Sequence, residues 1–484
     1  MKTRLAILPP LVAAALTAAG CSVNPATGQR QLVLLSESQE IALGRQSDEQ
    51  IVASMGLYGD AAAQRYVAEL GAGLAAVSER PDLPWTFRVI DDPVVNAFAL
   101  PGGFVYLTRG IMAHFNSEAE LVSVLGHEIG HVTARHGVER LSKAQLATVG
   151  IGIAAIASED FRDWAGLAQQ GLGLLFLKFS RDDERQADDL GLRYLVRGRY
   201  DPREMPRVFN TLDRLGEVSG QRLPGWLSTH PAPANRAERI AEQVAALSPD
   251  EAGGKVERDA YLARLDGMPY GADPREGYAV GSTFYHPGMA FALDFPPGWE
   301  VVNQRQLVGA TSPGQDAVVV LTLAPGAASP EAAMQDFFAQ QGLERGDAWG
   351  ERFRYFRTQP RQGSTSRLAG LVGFVRHRDA VFRLLSYTSD DRWSGYGDPF
   401  KQSLRSFRNL TQRRYLDVEP KRVDVVRLDR AMTLAEFHRR YPSTVELGAL
   451  AILNGVAEGD RLPAGTRVKR VVGGELPRPF PPSS

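Results

Sequence analysis

Residues 124–139 read VLGHEIGHVTARHGVE and place three histidines and one glutamate within ten positions. Ser117 followed by Glu120 has the pattern of a helix cap, so a helix is predicted to begin there and to run through the histidines. His127 and His131 are four residues apart, so their imidazoles leave the same helix face and suit two corners of a tetrahedral zinc site. Glu128 is placed beside that metal, where it can take a proton from the activated water and give it to a leaving amine.

A third histidine, His136, does not complete this site. The extended motif of the metzincins, H-E-x-x-H-x-x-G-x-x-H, requires glycine at position 134 and histidine at position 137, where this chain has Ala134 and Gly137. On a continuous helix, His136 is also rotated by roughly a hundred degrees or more from His131. We therefore expect His136 to lie on the surface or behind the ligands, and we predict that His136→Ala keeps its metal.

A carboxylate ligand is available on a second predicted helix, in SRDDERQADDLG. Ser180 and Asp183 are placed to cap this helix. Glu184 can complete a His₂Glu site, which leaves the fourth position for water. Asp188, one turn further on, can accept the ring N–H of a ligand histidine, most simply His127. On composition alone, a solvated run of charges is an equally good interpretation of this stretch.

The combination of HEIGH, SRDDERQADDLG and YDP resembles the zinc metallopeptidase family of HtpX and the CAAX prenyl proteases. The similarity is greatest to the soluble, periplasmic BepA-like branch, because the sequence has no spanning helices, and it covers about residues 30–245. The family's second motif is S-R-x-x-E-x-E-A-D-x-x-G, and this chain departs from it at Gln186, which is not a metal position. The matching residues are Ser180, Arg181, Glu184, Ala187, Asp188 and Gly191.

This resemblance implies a mainly helical, gluzincin-type metalloprotease domain with a small sheet. One Zn²⁺ per chain would be held by His127, His131 and Glu184, with Glu128 as the general base. The stretch NAFALPGGFVYLTRGI resembles the family's strand beside the catalytic helix, which would hold an extended substrate along its edge. The strand residues expected to face the substrate are Asn96, Ala97 and Phe98.

In WLSTHPAPANRAERI, His230 precedes a proline, and Arg236 follows six residues later. Composition alone would favour a proline-rich turn before a helix. The segment resembles the family's T-H-P-x-x-x-x-R, which lies over the active site. That resemblance implies that His230 occupies the open metal position or binds the reaction's oxyanion, and that Arg236 could add positive charge there. We expect His230 to cover the zinc at rest and to swing away for substrate.

Residues 1–20 are predicted to be a lipoprotein signal peptide, with a basic start (MKTR), an apolar middle and small residues before a cysteine. Cys21 is the only cysteine in the chain, so it cannot form an internal disulfide, and its surroundings resemble a lipobox. Lipid on Cys21 would tether the protein to the periplasmic face of a membrane, with the outer membrane favoured. An ordinary secretory peptide cut near Ala19 is the alternative.

One further apolar stretch, LATVGIGIAAIAS at 146–158, could be mistaken for a membrane span. It is too short, because crossing a bilayer takes about 20 residues. We interpret it as a buried helix or a lid over the active site, so any membrane association would rest on the lipid anchor.

The length of 484 residues predicts a multidomain α+β protein, with the metallopeptidase domain at 21–266 followed by a linker. Residues 278–408 are predicted to form an α+β domain whose opening, YHPGMAFALDFPPGWEVVN, resembles PsbP-like domains and implies a binding or positioning module. Residues 423–472 follow a strand, helix, helix, strand pattern that resembles LysM modules, which bind glycans such as peptidoglycan. A βααβ domain used only for packing is the alternative. The Pro-rich tail, 473–484, is predicted to be disordered.

Charge narrows the possible partners, since 55 Lys and Arg residues nearly balance 56 Asp and Glu residues. This balance gives no indication of nucleic-acid binding. We predict a lipid-anchored zinc endopeptidase of the bacterial envelope that acts on unfolded or misassembled envelope proteins in quality control. An envelope chaperone or scaffold with little proteolytic activity is one alternative. A peptidoglycan-binding protein with a vestigial site is another.

Overall fold

The computed structural model describes residues 21–150, 178–218, 226, 230, 235–359 and 367–477. The chain divides into two compact units, Met1–Gly271 with Arg422–Val472, and Ala272–Lys421 with Gly473–Ser484. Both units combine helices with sheets, which confirms a multidomain α+β protein. No helix in these described ranges is long and apolar enough to cross a membrane.

Three predictions concern residues that lie wholly or partly outside the described part of the chain. These are the signal peptide at 1–20, the apolar stretch at 146–158 from residue 151 onward, and the tail from residue 478 onward.

The N-terminal part of the first unit surrounds a small sheet with helices. The helices are α1 (Glu37–Met55), α2 (Ala61–Ala75), α3 (Arg109–His114), α4 (Glu118–Thr133), α5 (His136–Gly150), α6 (Arg181–Arg197), α7 (Met205–Val218), α8 (Arg236–Ala245) and α9 (Arg258–Leu265), with a 3-10 turn at Pro202–Glu204. The strands are β1 (Cys21–Val23), β2 (Arg30–Leu32), β3 (Thr86–Ile90), β4 (Ala97–Leu100) and β5 (Phe104–Thr108). Strands β1 and β2 form an antiparallel pair. A three-stranded sheet has the order β3-β5-β4, with β4 antiparallel to β5.

Helix α4 lies at the centre of this unit. Every residue from Ala119 to Thr133 is buried, so the helix has no solvent face. Its apolar side chains belong to the main hydrophobic core, and it packs against α2, α6, α7 and β4. A helix buried on all sides is a rigid support for the polar side chains that it carries.

The second unit contains two antiparallel sheets and three helices among its described residues. Its elements are β6 (Tyr278–Val280), β7 (Thr283–His286), β8 (Phe291–Asp294), β9 (Glu300–Gln304), β10 (Leu307–Thr311), β11 (Ala317–Leu323), α10 (Pro330–Phe338), β12 (Leu343–Trp349), β13 (Phe353–Thr358), β14 (Leu368–His377), β15 (Ala380–Ser389), α11 (Trp393–Arg405), β16 (Arg408–Asn409) and α12 (Arg413–Leu416), with 3-10 turns at Pro274–Glu276 and Asp390–Arg392. The larger sheet has the order β12-β13-β14-β15-β11-β10-β9, and the smaller has the order β16-β8-β7-β6. Helix α10 lies between β11 and β12 in the chain, with Ser329 as its N-cap.

The C-terminal segment belongs to the first unit and has the predicted strand, helix, helix, strand order. Its elements are β17 (Lys421–Arg427), β18 (Met432–Thr433), α13 (Leu434–Arg440), α14 (Leu447–Asn454), β19 (Arg461–Leu462) and β20 (Arg467–Gly473). Strand β17 pairs with β20, and β18 pairs with β19. The segment has a small apolar core of its own around Phe437 and Leu450. The buried Lys469 donates hydrogen bonds to the carbonyls of Ala113 and Phe115, at 2.8 and 2.6 Å, where α3 ends.

Candidate metal centre

The N-terminus of α4 forms largely as its sequence predicts. Ser117 is the N-cap, and its hydroxyl accepts from the Glu120 amide at 3.1 Å. The reciprocal contact shifts by one residue, because the Glu120 carboxylate accepts from the amide of Asn116, at 2.6 Å, instead of that of Ser117. With this start, His127 and His131 lie on one face, and their ring centroids are 4.7 Å apart.

Helix α6 begins at the predicted cap, where Ser180 and Asp183 form a complete capping box. It crosses α4 at very short range because small residues meet at the contact. A Cβ added to Gly130 would lie 3.0 Å from the Ala187 carbonyl oxygen, and one added to Gly191 would lie 3.1 Å from the backbone nitrogen of His127. The close approach brings the carboxylates of α6 to the imidazoles of α4.

Four buried side chains bring possible ligand atoms within 4.8 Å of one another, namely His127, His131, Glu184 and His230. Nε2 of His127 lies 3.5 Å from one Glu184 oxygen, and Nε2 of His131 lies 3.5 Å from the other. Nδ1 of His230 lies 3.0 Å from Glu184 Oε1. The two ring nitrogens of His127 and His131 that face this cluster are 3.1 Å apart.

The donor set fits a cation. Glu128 is fully buried, and neither of its carboxylate oxygens has a hydrogen-bond partner among the described residues. Oε2 of Glu184 is also without one there. Buried carboxylate oxygens without partners are costly, and a bound cation offsets that cost. Imidazole nitrogens with carboxylate oxygens are a donor set that suits zinc.

Glu128 itself lies beside the cluster, outside its group of ligand atoms. Its Oε1 is 3.7 Å from Nε2 of His230. Burial raises the pKa of the Glu128 carboxyl above its usual value, against the opposing effects of His230 and His127. The carboxyl is therefore placed and poised to exchange a proton with a group bound at the cluster.

Asp188 lies behind His127, as the sequence predicted. Its Oδ1 is 3.0 Å from His127 Nδ1, so that His127 Nε2 is left to face the cluster. Burial raises the pKa of Asp188, but the charge of Arg236 and the contact with His127 outweigh it and hold that pKa below its usual value. Asp188 thus remains an acceptor that fixes the orientation of His127.

Arg236 is buried at the first position of α8 and is directed at Asp188. Its Nε donates to Asp188 Oδ2 at 2.8 Å, and its guanidinium carbon lies 4.2 Å from the centroid of the Phe209 ring. One terminal nitrogen is 3.5 Å from Glu184. Besides these carboxylates, Arg236 contacts the His127 ring, because one terminal nitrogen lies 3.1 Å from His127 Nδ1. The oxyanion role of Arg236 stays a prediction.

His136 lies closer to the site than its position on a continuous helix would allow. Helix α4 ends at Thr133, Arg135 adopts a left-handed conformation with φ of 59°, and α5 begins at His136. The expectation of one continuous helix is therefore wrong. The break brings Nδ1 of His136 to 2.9 Å from Nδ1 of His131, on the side facing away from the cluster. His136 is buried behind His131 and is not part of the four-residue cluster.

His230 is held over the cluster by a residue that sequence reasoning missed, Trp226. The two rings stack at 4.2 Å, and the His230 amide donates to the Trp226 carbonyl at 2.9 Å. The Trp226 amide donates to the Val95 carbonyl, at 3.1 Å, just before β4. The spacing of four residues between Trp226 and His230 is the only sequence signal for this contact.

Phe179 is a second aromatic residue at the site that the sequence analysis passed over. Its ring stacks on His131 with centroids 4.0 Å apart. It stands directly before the cap of α6, which is the sequence signal that could have identified it.

Of the three predicted substrate-strand residues, Asn96 directly precedes β4, and Ala97 and Phe98 begin it and are buried. In the described sheet, β4 is an edge strand, with β5 on one side. Asn96 is bound to Thr108 of β5, since its carbonyl accepts from the Thr108 amide at 3.0 Å. The edge position is compatible with pairing to an extended peptide. For Cys21, the structure describes only the backbone, which pairs with Leu32.

Residues 61–244 of the chain match Peptidase family M48. The mitochondrial metalloendopeptidase OMA1 of Arabidopsis thaliana is 36% identical over 35% of this chain and 33% of that protein. The beta-barrel assembly-enhancing protease of Yersinia pestis is 32% identical over 51% of this chain and 52% of that protein. The chain thus spans about a third to a half of the curated relatives that it matches.

Among solved structures, the solution structure of cyanobacterial PsbP (CyanoP) from Synechocystis sp. PCC 6803 matches 28% of this chain and 94% of that chain. The identity is 16% and the TM-score is 0.19, so the match does not assign a fold. The family match covers α4 and α6, which carry the two histidines, Glu128 and Glu184. The chain therefore carries a domain of Peptidase family M48.

Proposed function

We propose that this chain is a zinc-dependent endopeptidase of the bacterial envelope that hydrolyses misfolded or misassembled envelope proteins. The observation that carries the proposal is a buried group of His127, His131 and Glu184 beside the Glu128 carboxylate, whose oxygens accept no hydrogen bond from the part of the chain that the structure describes. Two imidazoles, one carboxylate ligand and a separate acid–base carboxylate are the parts that metal-assisted peptide hydrolysis requires.

One Zn²⁺ per chain would be held by His127 Nε2, His131 Nε2 and an oxygen of Glu184. When bound, the ion supplies Lewis-acid polarisation of the scissile carbonyl and lowers the pKa of a water molecule. Asp188 accepts the Nδ1 proton of His127 and so keeps Nε2 directed at the ion. The choice of zinc over other divalent ions rests on the ligand types. The general order of metal affinities alone would not select zinc.

Glu128 is the general base in this proposal. Its carboxylate accepts a proton from the attacking water and later gives that proton to the nitrogen of the departing amine. Burial raises its pKa, which brings the carboxyl closer to the range in which both transfers are efficient. Arg236 holds Asp188 in place, and its charge would also offset the oxyanion that develops on the scissile carbonyl.

His230 has two possible roles in this mechanism, a fourth ligand at rest or a donor to the oxyanion. Its Nδ1 lies 3.0 Å from Glu184 Oε1, which supports a place among the ligands. We expect His230→Ala to raise proteolysis if the residue is a latch. Loss of proteolysis with zinc retained would favour the oxyanion role instead and would exclude the latch.

The substrate would bind as an extended strand along Asn96, Ala97 and Phe98 of the β4 edge. Support comes from the edge position of β4 and from the helix α4 packed against it. The Trp226 amide already occupies the Val95 carbonyl, so the segment that carries His230 would have to release that carbonyl when a peptide pairs there.

The envelope location and the substrate class rest on the N-terminal sequence and on the relatives. Cys21 would carry lipid and anchor the protein to the outer membrane, facing the periplasm. The relative named beta-barrel assembly-enhancing protease supports envelope proteins as substrates. The 423–472 segment would act as a LysM-like module on peptidoglycan, and the 278–408 domain would bind or position substrates.

Cleavage of a permanently unfolded protein by the wild type and by Glu128→Gln tests the proposed activity, with zinc measured in both. We expect wild-type cleavage and a loss of about a hundredfold or more in the variant, because general-base catalysis contributes about that much. The exposed Glu69→Gln is the matched control and should cleave normally. If the wild type is inert although it is loaded with zinc, an envelope chaperone or peptidoglycan-associated scaffold is the better interpretation.

A further inference from the structure

A chain of hydrogen bonds runs from the back of His131 to a turn near the N-terminus. Nδ1 of His136 lies 2.9 Å from Nδ1 of His131, and Nε2 of His136 lies 2.8 Å from Gln186 Oε1. The same Gln186 oxygen is 3.2 Å from Asn24 Nδ2. Asn24 and His136 are both buried.

The direction of this chain is determined at Asn24. Its Oδ1 accepts from the amides of Ala26 and Thr27, at 2.9 and 3.2 Å, and a backbone amide can only donate. Its Nδ2 correspondingly faces the Ala134 carbonyl at 3.1 Å, and a carbonyl can only accept. Three backbone groups thus orient the Asn24 amide, and the Gln186 atom that faces its Nδ2 must be the oxygen.

The remaining protons follow from that orientation. Since Gln186 Oε1 accepts, Nε2 of His136 must carry the hydrogen in that contact, and the neutral ring then has a lone pair on Nδ1. Nδ1 of His131 must donate to this lone pair. Nε2 of His131 is then free of hydrogen on the side that faces Glu184, which is the form that a metal ligand requires.

We propose that His136, Gln186 and Asn24 are positioning residues that fix the tautomer and ring orientation of His131, as Asp188 does for His127. The inference rests on the proposed metal site. The two ligand histidines then have different supports: His127 relies on a carboxylate, and His131 relies on a neutral chain anchored to backbone amides. Histidine partners of this kind contribute about 10–100-fold to metal affinity.

The test is the zinc dissociation constant of the metal-free full-length chain, measured against a competing chelator. His136→Leu removes the acceptor and should weaken zinc binding by about 10–100-fold. Saturating zinc should still fill the site, in agreement with the prediction that His136→Ala keeps its metal. His136→Asn places an amide oxygen near the position of Nδ1 and should recover most of the affinity. The control is His114→Leu, a buried histidine whose ring binds the Gly110 carbonyl, and it should keep wild-type affinity.

A substitution at Asn24, away from the metal site, tests which groups donate and which accept along the hydrogen-bond chain. Asn24→Asp keeps an acceptor for the turn amides but replaces the donor toward Gln186 with an oxygen, so the Gln186 amide should turn over and place the wrong tautomer at His131. We expect weaker zinc binding here as well. Circular dichroism of each metal-free variant must match the wild type, so that misfolding does not mimic the effect.

Each result decides between defined outcomes. The proposed role of the hydrogen-bond chain would be wrong if His136→Leu or Asn24→Asp kept wild-type zinc affinity, or if His136→Asn failed to recover binding. The proposed metal site would remain in place in each of these cases. A wild-type protein that binds no zinc would overturn the proposed function and this inference together. Loss of affinity in both variants with recovery by His136→Asn supports it.

Discussion

At the residue scale, the metal centre depends on which nitrogen of each imidazole faces inward. His127 and His131 bring their Nε2 atoms to 3.1 Å, and both outer nitrogens have partners, Asp188 and His136. Two lone pairs at that distance repel each other unless a cation or a proton lies between them. Asp188 and His136 would thus orient the two imidazoles for an ion without contacting that ion themselves.

Glu184→Ala should lose most of the bound metal. Glu184 is fully buried, and its carboxylate contacts both His127 and His131, so no exposed side chain can replace it. Metal content after purification, with chain folding checked by circular dichroism, measures the effect. Asp182→Ala, on the same helix with a side chain that is 91% exposed, should retain one ion per chain. Equal metal in both variants would remove Glu184 from the ligands.

His114 should make the first unit less stable in acid. Burial lowers the pKa of this histidine from 6.5 to about 4, so between those values the folded state binds fewer protons than the unfolded state. The contribution of the neutral His114 to the free energy of unfolding is therefore fully present above pH 6.5. It is lost as the pH falls toward 4, by up to about 3 kcal/mol. Urea unfolding in the presence of a chelator, repeated at several pH values, gives the free energy of unfolding as a function of pH. That free energy should change less steeply with pH in His114→Leu than in the wild type. Equal slopes would contradict a neutral, buried His114.

Some features of the site could be predicted from the sequence alone, and others could not. His127, Glu128 and His131 could be predicted because their geometry is local, set by one turn of one helix. The contact of His136 could not, because it depends on the left-handed Arg135. That conformation is supported by Glu40 and by the Leu35 carbonyl, each 3.0 Å from the Arg135 guanidinium and about a hundred residues away in the chain.

At the scale of elements, the crossing of α4 and α6 assembles the site. The caps of both helices could be predicted, because Ser117 and Ser180 are local signals. Their relative register could not, because it depends on how closely two backbones approach. Gly126, Gly130 and Gly191 allow that approach, and their lack of side chains becomes informative only once the partner helix is known.

Gly130→Val should separate these helices. A Cβ at this position already lies 3.0 Å from the Ala187 carbonyl oxygen, and the larger side chain would have to displace α6. We expect a loss of about 1–3 kcal/mol in stability together with weaker zinc binding. Gly137→Ala is the control, since its Cβ would meet Pro101 at an ordinary 3.7 Å. Denaturant unfolding and zinc affinity are the measurements, and an undisturbed Gly130→Val would argue against close packing as the determinant.

At the scale of the whole molecule, the C-terminal segment is part of the same compact unit as the metal centre. The burial of Lys469 could not be predicted, because adjacent basic residues in the sequence VKR are typical of a strand that is exposed to solvent. Val423 is likewise part of the main hydrophobic core, and its amide donates to the Met268 carbonyl at 2.8 Å. The order of helices and strands was predictable from local pattern, whereas this integration depends on contacts more than a hundred residues apart.

Removal of residues 422–484 should therefore destabilise the metallopeptidase region. The deletion removes the buried Val423 and the donor to the end of α3, so we expect the melting temperature to fall by about 5 °C or more. Differential scanning calorimetry of the shortened chain measures this. A chain shortened by residues 478–484 is the control and should melt like the wild type. Identical melting of both shortened chains would mean that the segment is an independent module.

X-ray absorption at the zinc edge of the purified wild-type protein tests the metal centre most directly. We expect one zinc per chain with nitrogen and oxygen neighbours at about 2.0–2.2 Å and with the outer-shell scattering of at least two imidazoles. The imidazole signal should weaken in His131→Ala. A zinc ion surrounded by oxygens alone, or a spectrum that His131→Ala leaves unchanged, would contradict a site built from α4 and α6.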